Sequence, residues 1–311
     1  MPRDGDEAAL RERDILLRHP ARHAPPPPSR VAAAGERIAM DYVEIGDASL
    51  LIRWTGELTG ATPPVLVLPP VPGASALCED LLRSLGATRP ALALDLPGHG
   101  ESDPLPGNPQ TVAVWVDATR RALDALGIRQ VHLYGYQGGA AAAVELARVA
   151  PARVATVMLD APIALDATAR AAFVADYAPD ITPSWEGAHL LRAWHHLRDQ
   201  ELWWPWFDRR RAAIRTAPPR IDPADLTLRV RESLKQPASY APAWRAALAY
   251  PLVERLGDVR TPVALICAAS DIFAPLFGGM RAARATVLDI DDSAASRAAA
   301  LNDWLRSHAR A

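Results

Sequence analysis

This chain has little cysteine, almost no lysine and no strong excess of charge of either sign. Its 311 residues include two cysteines, Cys78 and Cys267, both in apolar surroundings. That usage excludes a disulfide scaffold and suits reduced core residues in a cytoplasmic protein. The formal net charge is −2, so no polyanionic partner such as nucleic acid is expected. No stretch reaches the ~18 consecutive apolar residues of a membrane-spanning helix, which sets a membrane role aside. The first residues (Arg3, Asp4, Asp6, Glu7) are charged and no long apolar run follows, so no secretory leader is expected. Lys235 is the sole lysine, and arginine supplies every other basic side chain. With the heavy use of alanine and proline, this points to a GC-rich bacterial genome rather than to a function.

Half of the residues are hydrophobic and 23% are charged, an ordinary globular balance. The length fits one large α/β domain with an inserted subdomain, or two small domains. Residues 1–38 stand apart as an N-terminal extension, with a short amphipathic pattern from Ala8 to Arg18 and a stiff spacer at Pro25-Pro26-Pro27-Pro28. A loosely ordered arm and a docking element are both compatible with it. From residue 39, apolar runs bounded by turn residues alternate with helical patterns. A hairpin over Met40–Ile45 and Leu50–Trp54 precedes strands at Val65–Leu68, Ala91–Leu94, Val131–Tyr134, Val154–Leu159, Val263–Cys267 and Ala285–Ile290. Helices are predicted over Ser75–Leu85, Thr111–Leu126, Gln137–Val149 and Ser293–Ala309. Continuous apolar runs joined by helices indicate a mostly parallel, twisted sheet covered on both faces. The alternation stops near Pro162 and resumes near Pro262. The expected division is a core of residues 39–161 and 251–311, with a helical, tryptophan-rich cap at 162–250.

The most informative segment is Gly135-Tyr136-Gln137-Gly138-Gly139, between the strand ending at Tyr134 and an alanine-rich helix. In a G-x-S-x-G elbow, a Ser stands on a sharp strand-to-helix turn whose glycines let strand and helix approach closely. Here the glycines are present and the central residue is Gln137, whose amide is not a useful nucleophile at neutral pH. Other motifs appear in order around it: Leu68-Pro69-Pro70-Val71-Pro72-Gly73, then Asp95-Leu96-Pro97-Gly98-His99-Gly100-Glu101-Ser102, and Asp271 after the Val263–Cys267 run. Over residues 40–310 this ordered set resembles the α/β-hydrolase superfamily, in particular its capped branch of epoxide hydrolases, haloalkane dehalogenases and esterases. The resemblance implies an α/β-hydrolase fold with an inserted helical cap. It puts the oxyanion loop at Val71 and the triad acid at Asp271.

The same resemblance exposes two absences. The family carries Ser or Asp where this chain has Gln137, and a His after the last strand, where the segment Asp291-Asp292-Ser293-Ala294-Ala295-Ser296 has none. His308 is the only later histidine and lies near the end of the terminal helix. In the triad the Ser attacks and the His shuttles its proton while the acid orients the His. Loss of such members lowers turnover by ~10⁴–10⁶, so a degenerate triad argues against ordinary hydrolysis.

Several candidate site residues remain. Gln137 can hydrogen-bond a ligand or merely fill the space left by a Ser. Backbone amides of Val71 and Gly138 correspond to the family's oxyanion donors and can hold a carbonyl or enolate oxygen without a nucleophile. Asp271 becomes a base if desolvation raises its pKa, or remains a relic bonded to backbone donors. Asp95 and Asp160 read as structural carboxylates bonded to turn amides. Among the cap histidines (His189, His195, His196), His196 is the candidate to reach the pocket, with packing as the bland alternative. No carboxylate or Cys stands at ligand spacing on that helix, and neither a metal nor a cofactor is implied. Trp203 and Trp204, in a run with Trp206, read either as cap core or as the wall of an apolar pocket. Ser75 and Cys78 are remote substitutes for the missing nucleophile, with no base visible beside them.

Three functions follow from this reading. The first is an enzyme working without the triad, such as a lyase, isomerase, cyclase or atypical hydrolase, acting on a small apolar or aromatic molecule beneath the cap. The second is a catalytically inactive pseudoenzyme that binds a small ligand or a partner protein. The third is a hydrolase using a base supplied from the cap. Homo-oligomerisation is left open.

Overall fold

The computed structural model describes residues 37–60, 62–277, 280 and 285–308. The N-terminal extension through residue 36 lies outside the described residues, and the expectation about its helix and proline spacer goes with it. Among the described residues eight strands form one sheet, in the order β1-β2-β4-β3-β5-β6-β7-β8. β1 (Ala39–Glu44) and β2 (Ser49–Thr55) are the expected antiparallel hairpin. β2 joins β4 (Ala91–Leu94) antiparallel, and every pairing beyond β4 is parallel. β3 (Val65–Leu68) and β4 match the apolar runs residue for residue. β5 (Val131–Tyr136), β6 (Val154–Asp160), β7 (Val263–Ile266) and β8 (Thr286–Leu288) differ from theirs by one or two residues at the ends.

The strands read as unbroken apolar runs because both sheet faces are covered, so both alternating sets of side chains are buried. Leu66, Leu92, Leu133 and Leu159 point to the face covered by α2 (Val112–Ala125) and α3 (Gly139–Val149). Val65, Val67, Ala93 and Met158 point the other way, where Leu82 and Leu85 of α1 (Glu79–Gly86) meet Leu301 and Leu305 of a long terminal helix. That terminal helix, α10, spans Ala294–His308.

Between β6 and β7 the chain forms α4 (Ala167–Asp176), α5 (Ala188–Asp199), α6 (Pro223–Lys235), α7 (Pro237–Ala249) and the short α8 (Leu252–Leu256). Local chemistry starts several of these helices. Asp166 accepts the Ala169 amide, and Asp222 accepts those of Ala224 and Asp225, with Pro223 at the first helical position. This helical region, consistent with a cap, has its own core of Phe173, Tyr177, Tyr240 and Trp244, together with Phe273. Phe273 precedes the single-turn α9 (Ala274–Phe277), so the cap core rests on the loop that follows β7. Among the described residues no helix is long and apolar enough to cross a membrane.

Candidate functional site

The site is built where β5 turns into α3. Gln137 sits at φ +47°, in the left-handed region that non-glycine residues rarely occupy. Its amide donates to the Asp160 carbonyl at the end of β6 (2.8 Å), which pins the turn to the neighbouring strand. A methyl group at Gly138 would lie 2.3 Å from the Val71 carbonyl oxygen, so only glycine admits the elbow to the oxyanion loop. The sharp turn of a nucleophile elbow is therefore retained with Gln at its apex.

That close approach sets the backbones of Val71 and Gly138 side by side. Neither amide donates a hydrogen bond among the described residues. Val71 lines a cavity of ≈ 630 Å³ between the sheet and the cap helices. The two amides are thus candidate donors beside the N-terminus of α3, of which Val71 lines the cavity and Gly138 does not.

Asp271 lies behind the elbow and is fully buried. Its Oδ1 accepts the Phe273 amide (2.8 Å) and its Oδ2 accepts Gln137 Nε2 (3.1 Å), with the Tyr136 hydroxyl 3.5 Å away. Burial pushes its pKa up to about 6, while the Phe273 amide pulls the other way. Tyr136, Gln137 and Ile272 line the cavity, whereas Asp271 does not. The acid therefore meets the elbow residue directly.

Where the resemblance puts a His, the chain has an arginine–carboxylate network. Asp292 pairs with Arg220 (2.9 Å) and with Arg297 (3.5 Å), and Arg297 Nε donates to Asp160 Oδ2 (2.7 Å). The Arg297 guanidinium lies 5.8 Å from the centre of the Tyr136 ring. Contact with Asp160 raises the Arg297 pKa against the opposing effect of burial. His308 packs its ring on Trp304, at 3.6 Å between centroids, on the terminal helix.

Two expectations about the pocket are corrected. His196 is buried in the cap core, with Nδ1 2.7 Å from the Tyr240 hydroxyl and Nε2 2.7 Å from Gln200 Nε2. Burial pushes its pKa down to about 3, so the ring is neutral near pH 7, and it does not line the cavity. Trp203 and Trp204 are also absent from the cavity wall. Trp204 packs against Phe173, Tyr177 and Phe273, and Trp203 lies under the Arg209 guanidinium (4.3 Å). The physical reason is the cap's need for an aromatic core of its own. The wall is mixed, with Glu201, Arg220, Arg229, Asp292 and Arg297 lining it together with Leu197, Trp244 and Ile272.

The other candidates fall into structural roles. Ser75 is tied to Asp95 and Arg53. Cys78 lines the cavity, but burial pushes its thiol up to about 12, away from the reactive thiolate. Asp95 accepts the amides of Ser75 and Glu101, the turn-binding role expected of it. Asp160 does not: its side chain meets the Tyr134 hydroxyl and Arg297. Sequence reasoning missed Tyr136, Arg220 and Arg297 as wall residues. Tyr136 had a local signal, standing next to the elbow apex, while the arginines join the site only through tertiary contacts. Among the described residues no group of three or more His, Cys, Asp or Glu side chains is placed to hold a metal ion.

Comparison with known proteins agrees with this fold. The family model described as alpha/beta hydrolase fold matches residues 63–293. A putative carbamate hydrolase, RutD, of Azorhizobium caulinodans is 29% identical over 120 residues, which is 39% of this chain and 43% of that protein. The chain spans less than half the length of the curated relatives it matches. A hydrolase from Pseudomonas aeruginosa PA01 superposes with a TM-score of 0.64 at 20% identity, covering 88% of this chain and 98% of the other. Epoxide hydrolase A from Mycobacterium thermoresistibile does so with a TM-score of 0.64 at 19% identity, covering 87% and 98%.

Proposed function

The chain belongs to the alpha/beta hydrolase fold family, and from that premise we propose that it binds a small polar molecule under the cap without hydrolysing it through an acyl-enzyme. The observation that carries this reading is the Gln137–Asp271 hydrogen bond of 3.1 Å. A triad needs a nucleophile within reach of a base that the acid orients. Here the acid is bonded to the elbow residue itself, and no imidazole stands between them. The names of similar proteins, a carbamate hydrolase and an epoxide hydrolase, favour hydrolysis; the side chains at this elbow argue against carrying that chemistry over. What remains usable are the Val71 and Gly138 amides as candidate donors, Gln137 as a positioning group, and a cavity of ≈ 630 Å³, within the ~300–1,000 Å³ of small-molecule sites.

A thermal-shift screen of small carbonyl and carboxylate compounds tests this reading. A bound ligand stabilises by RT ln(1 + [L]/Kd), about 2.7 kcal/mol at a hundredfold excess over Kd. Compounds should raise the melting temperature of the wild type and lose that effect in Gln137→Ala. Equal shifts in both proteins would remove Gln137 from the site.

A proton-transfer enzyme, of the lyase, isomerase or cyclase kind, is the second reading. Asp271, with its pKa pushed up to about 6, and the Tyr136 hydroxyl 3.5 Å from it support this one. Tyr136 faces the cavity and Asp271 does not, so the proton would pass through the phenol. Solvent-deuterium exchange into a bound carbonyl compound would reveal it, and Tyr136→Phe should abolish the exchange. A hydrolase using a cap base receives no support from His196, which is held inside the cap core.

A further inference from the structure

We propose that Arg220 is the anion-binding residue of the cavity, so that the ligand is a small carboxylic acid with an apolar or aromatic body. This rests on the reading of the cavity as a ligand site and names the charge and class of its occupant. Arg220 belongs to the cap, two residues before the Asp222 that caps α6, and it lines the cavity. Its side chain is 43% exposed, so its donors are open to an incoming molecule. Its backbone amide donates to the buried Glu201 carboxylate (3.4 Å), which Arg215 holds in turn (3.1 Å). The chain beneath the side chain is therefore anchored.

The guanidinium is only partly used. Nη1 lies 2.9 Å from Asp292 Oδ1, and among the described residues Nε and Nη2 have no partner. That Asp292 oxygen is itself shared, because Arg297 Nη2 lies 3.5 Å from it. The other arginines of the wall, Arg83, Arg229 and Arg297, each meet two carboxylates, whereas Arg220 has a share of one. Nε and Nη2 form one planar edge of the guanidinium, which can take both oxygens of a carboxylate while Nη1 stays on Asp292. Burial opposes the Arg220 charge, but Asp292, Tyr136, Glu201 and Asp271 together hold its pKa above the ordinary value. The charge therefore acts on the elbow side of the cavity, where Val71 and Gln137 also line the wall. Leu197, Trp244 and Ile272 line the same cavity and suit the apolar body. Carboxylates such as Asp222 and Asp225 line it too, which makes an amine the competing occupant.

Calorimetric titration of the full chain with 3-phenylpropionate, 3-phenylpropionamide and 3-phenylpropylamine tests this, since the three share a skeleton and differ in the charge of one end group. The acid should bind about tenfold more tightly than the amide, the size of a charge-assisted hydrogen bond. That advantage should shrink as salt is raised, because the site is half exposed, and it should vanish in Arg220→Gln. The substitution removes one partly exposed ion pair, a small loss of stability, and the wild-type comparison stands without it. Equal affinities for acid and amide, tightest binding of the amine, or an acid preference that survives in Arg220→Gln would each overturn the Arg220 site while leaving the cavity as a ligand site. Binding of none at millimolar concentration would overturn both readings.

Discussion

Asp271→Asn should make the protein more stable at neutral pH. Burial moves the Asp271 pKa from 3.8 to about 6 in the folded state. An acid whose folded-state pKa is raised favours the fold when protonated. Its contribution is complete below pH 3.8 and is lost as the pH rises through about 6. The full difference corresponds to about 3 kcal/mol, most of which falls between pH 4 and pH 7.5. Asparagine is the neutral isostere. Its carbonyl oxygen can accept the Phe273 amide, and its NH₂ can meet Gln137 once that side-chain amide turns over to present oxygen. Urea unfolding followed by tryptophan fluorescence, run on both proteins at several pH values, isolates the effect because the other titrating groups cancel in the difference. The wild type should lose about 2–3 kcal/mol relative to the variant from pH 4 to pH 7.5, with the loss levelling off above pH 6. Parallel stability curves would refute the burial argument. A wild type that gains on the variant as pH rises would mean that the carboxylate is net stabilised by its partners.

Other outcomes follow from the same contacts. Gln137→Ala removes a donor from the buried carboxylate; it should cost about 1–3 kcal/mol and move the levelling point of the Asp271 titration to higher pH. Gly138→Ala drives a methyl group to 2.3 Å from the Val71 carbonyl and should lower stability by at least ~1–3 kcal/mol, measured as a lower melting temperature. Arg297→Met strands the Asp160 carboxylate and should cost about 3–5 kcal/mol, with much of the loss recovered by adding Asp160→Asn. The His196 ring should show no NMR titration between pH 8 and pH 5, because burial holds its pKa near 3; an inflection near pH 6 would mean that the cap core is wet.

The sheet was legible because burial on both faces writes itself into the sequence as unbroken runs. Val65–Leu68 and Ala91–Leu94 are strands at the bounds their hydrophobicity marks. The elbow was legible for a related reason: backbone crowding at Gly138 and Gly139 leaves glycine as the only residue that fits, whatever occupies the apex. The cavity wall was not legible. Arg220 and Arg297 belong to segments 77 positions apart and meet through Asp292, a contact that no local pattern encodes. His196 and Trp204 illustrate the converse. Their spacing on a helical, aromatic stretch fits a core or a pocket equally well, and only the packing of Phe173, Tyr177 and Trp244 makes it a core. The direct bond from Gln137 to Asp271 likewise joins residues far apart in the chain, although both were visible as candidates.

The proposed function requires that this elbow carry no activated nucleophile. Intact-mass spectrometry after incubation with a fluorophosphonate probe and, separately, with p-nitrophenyl acetate tests it most directly. An unmodified mass and no burst of nitrophenol are expected. A stoichiometric phosphonyl or acetyl adduct on any cavity residue, together with steady ester turnover, would contradict it.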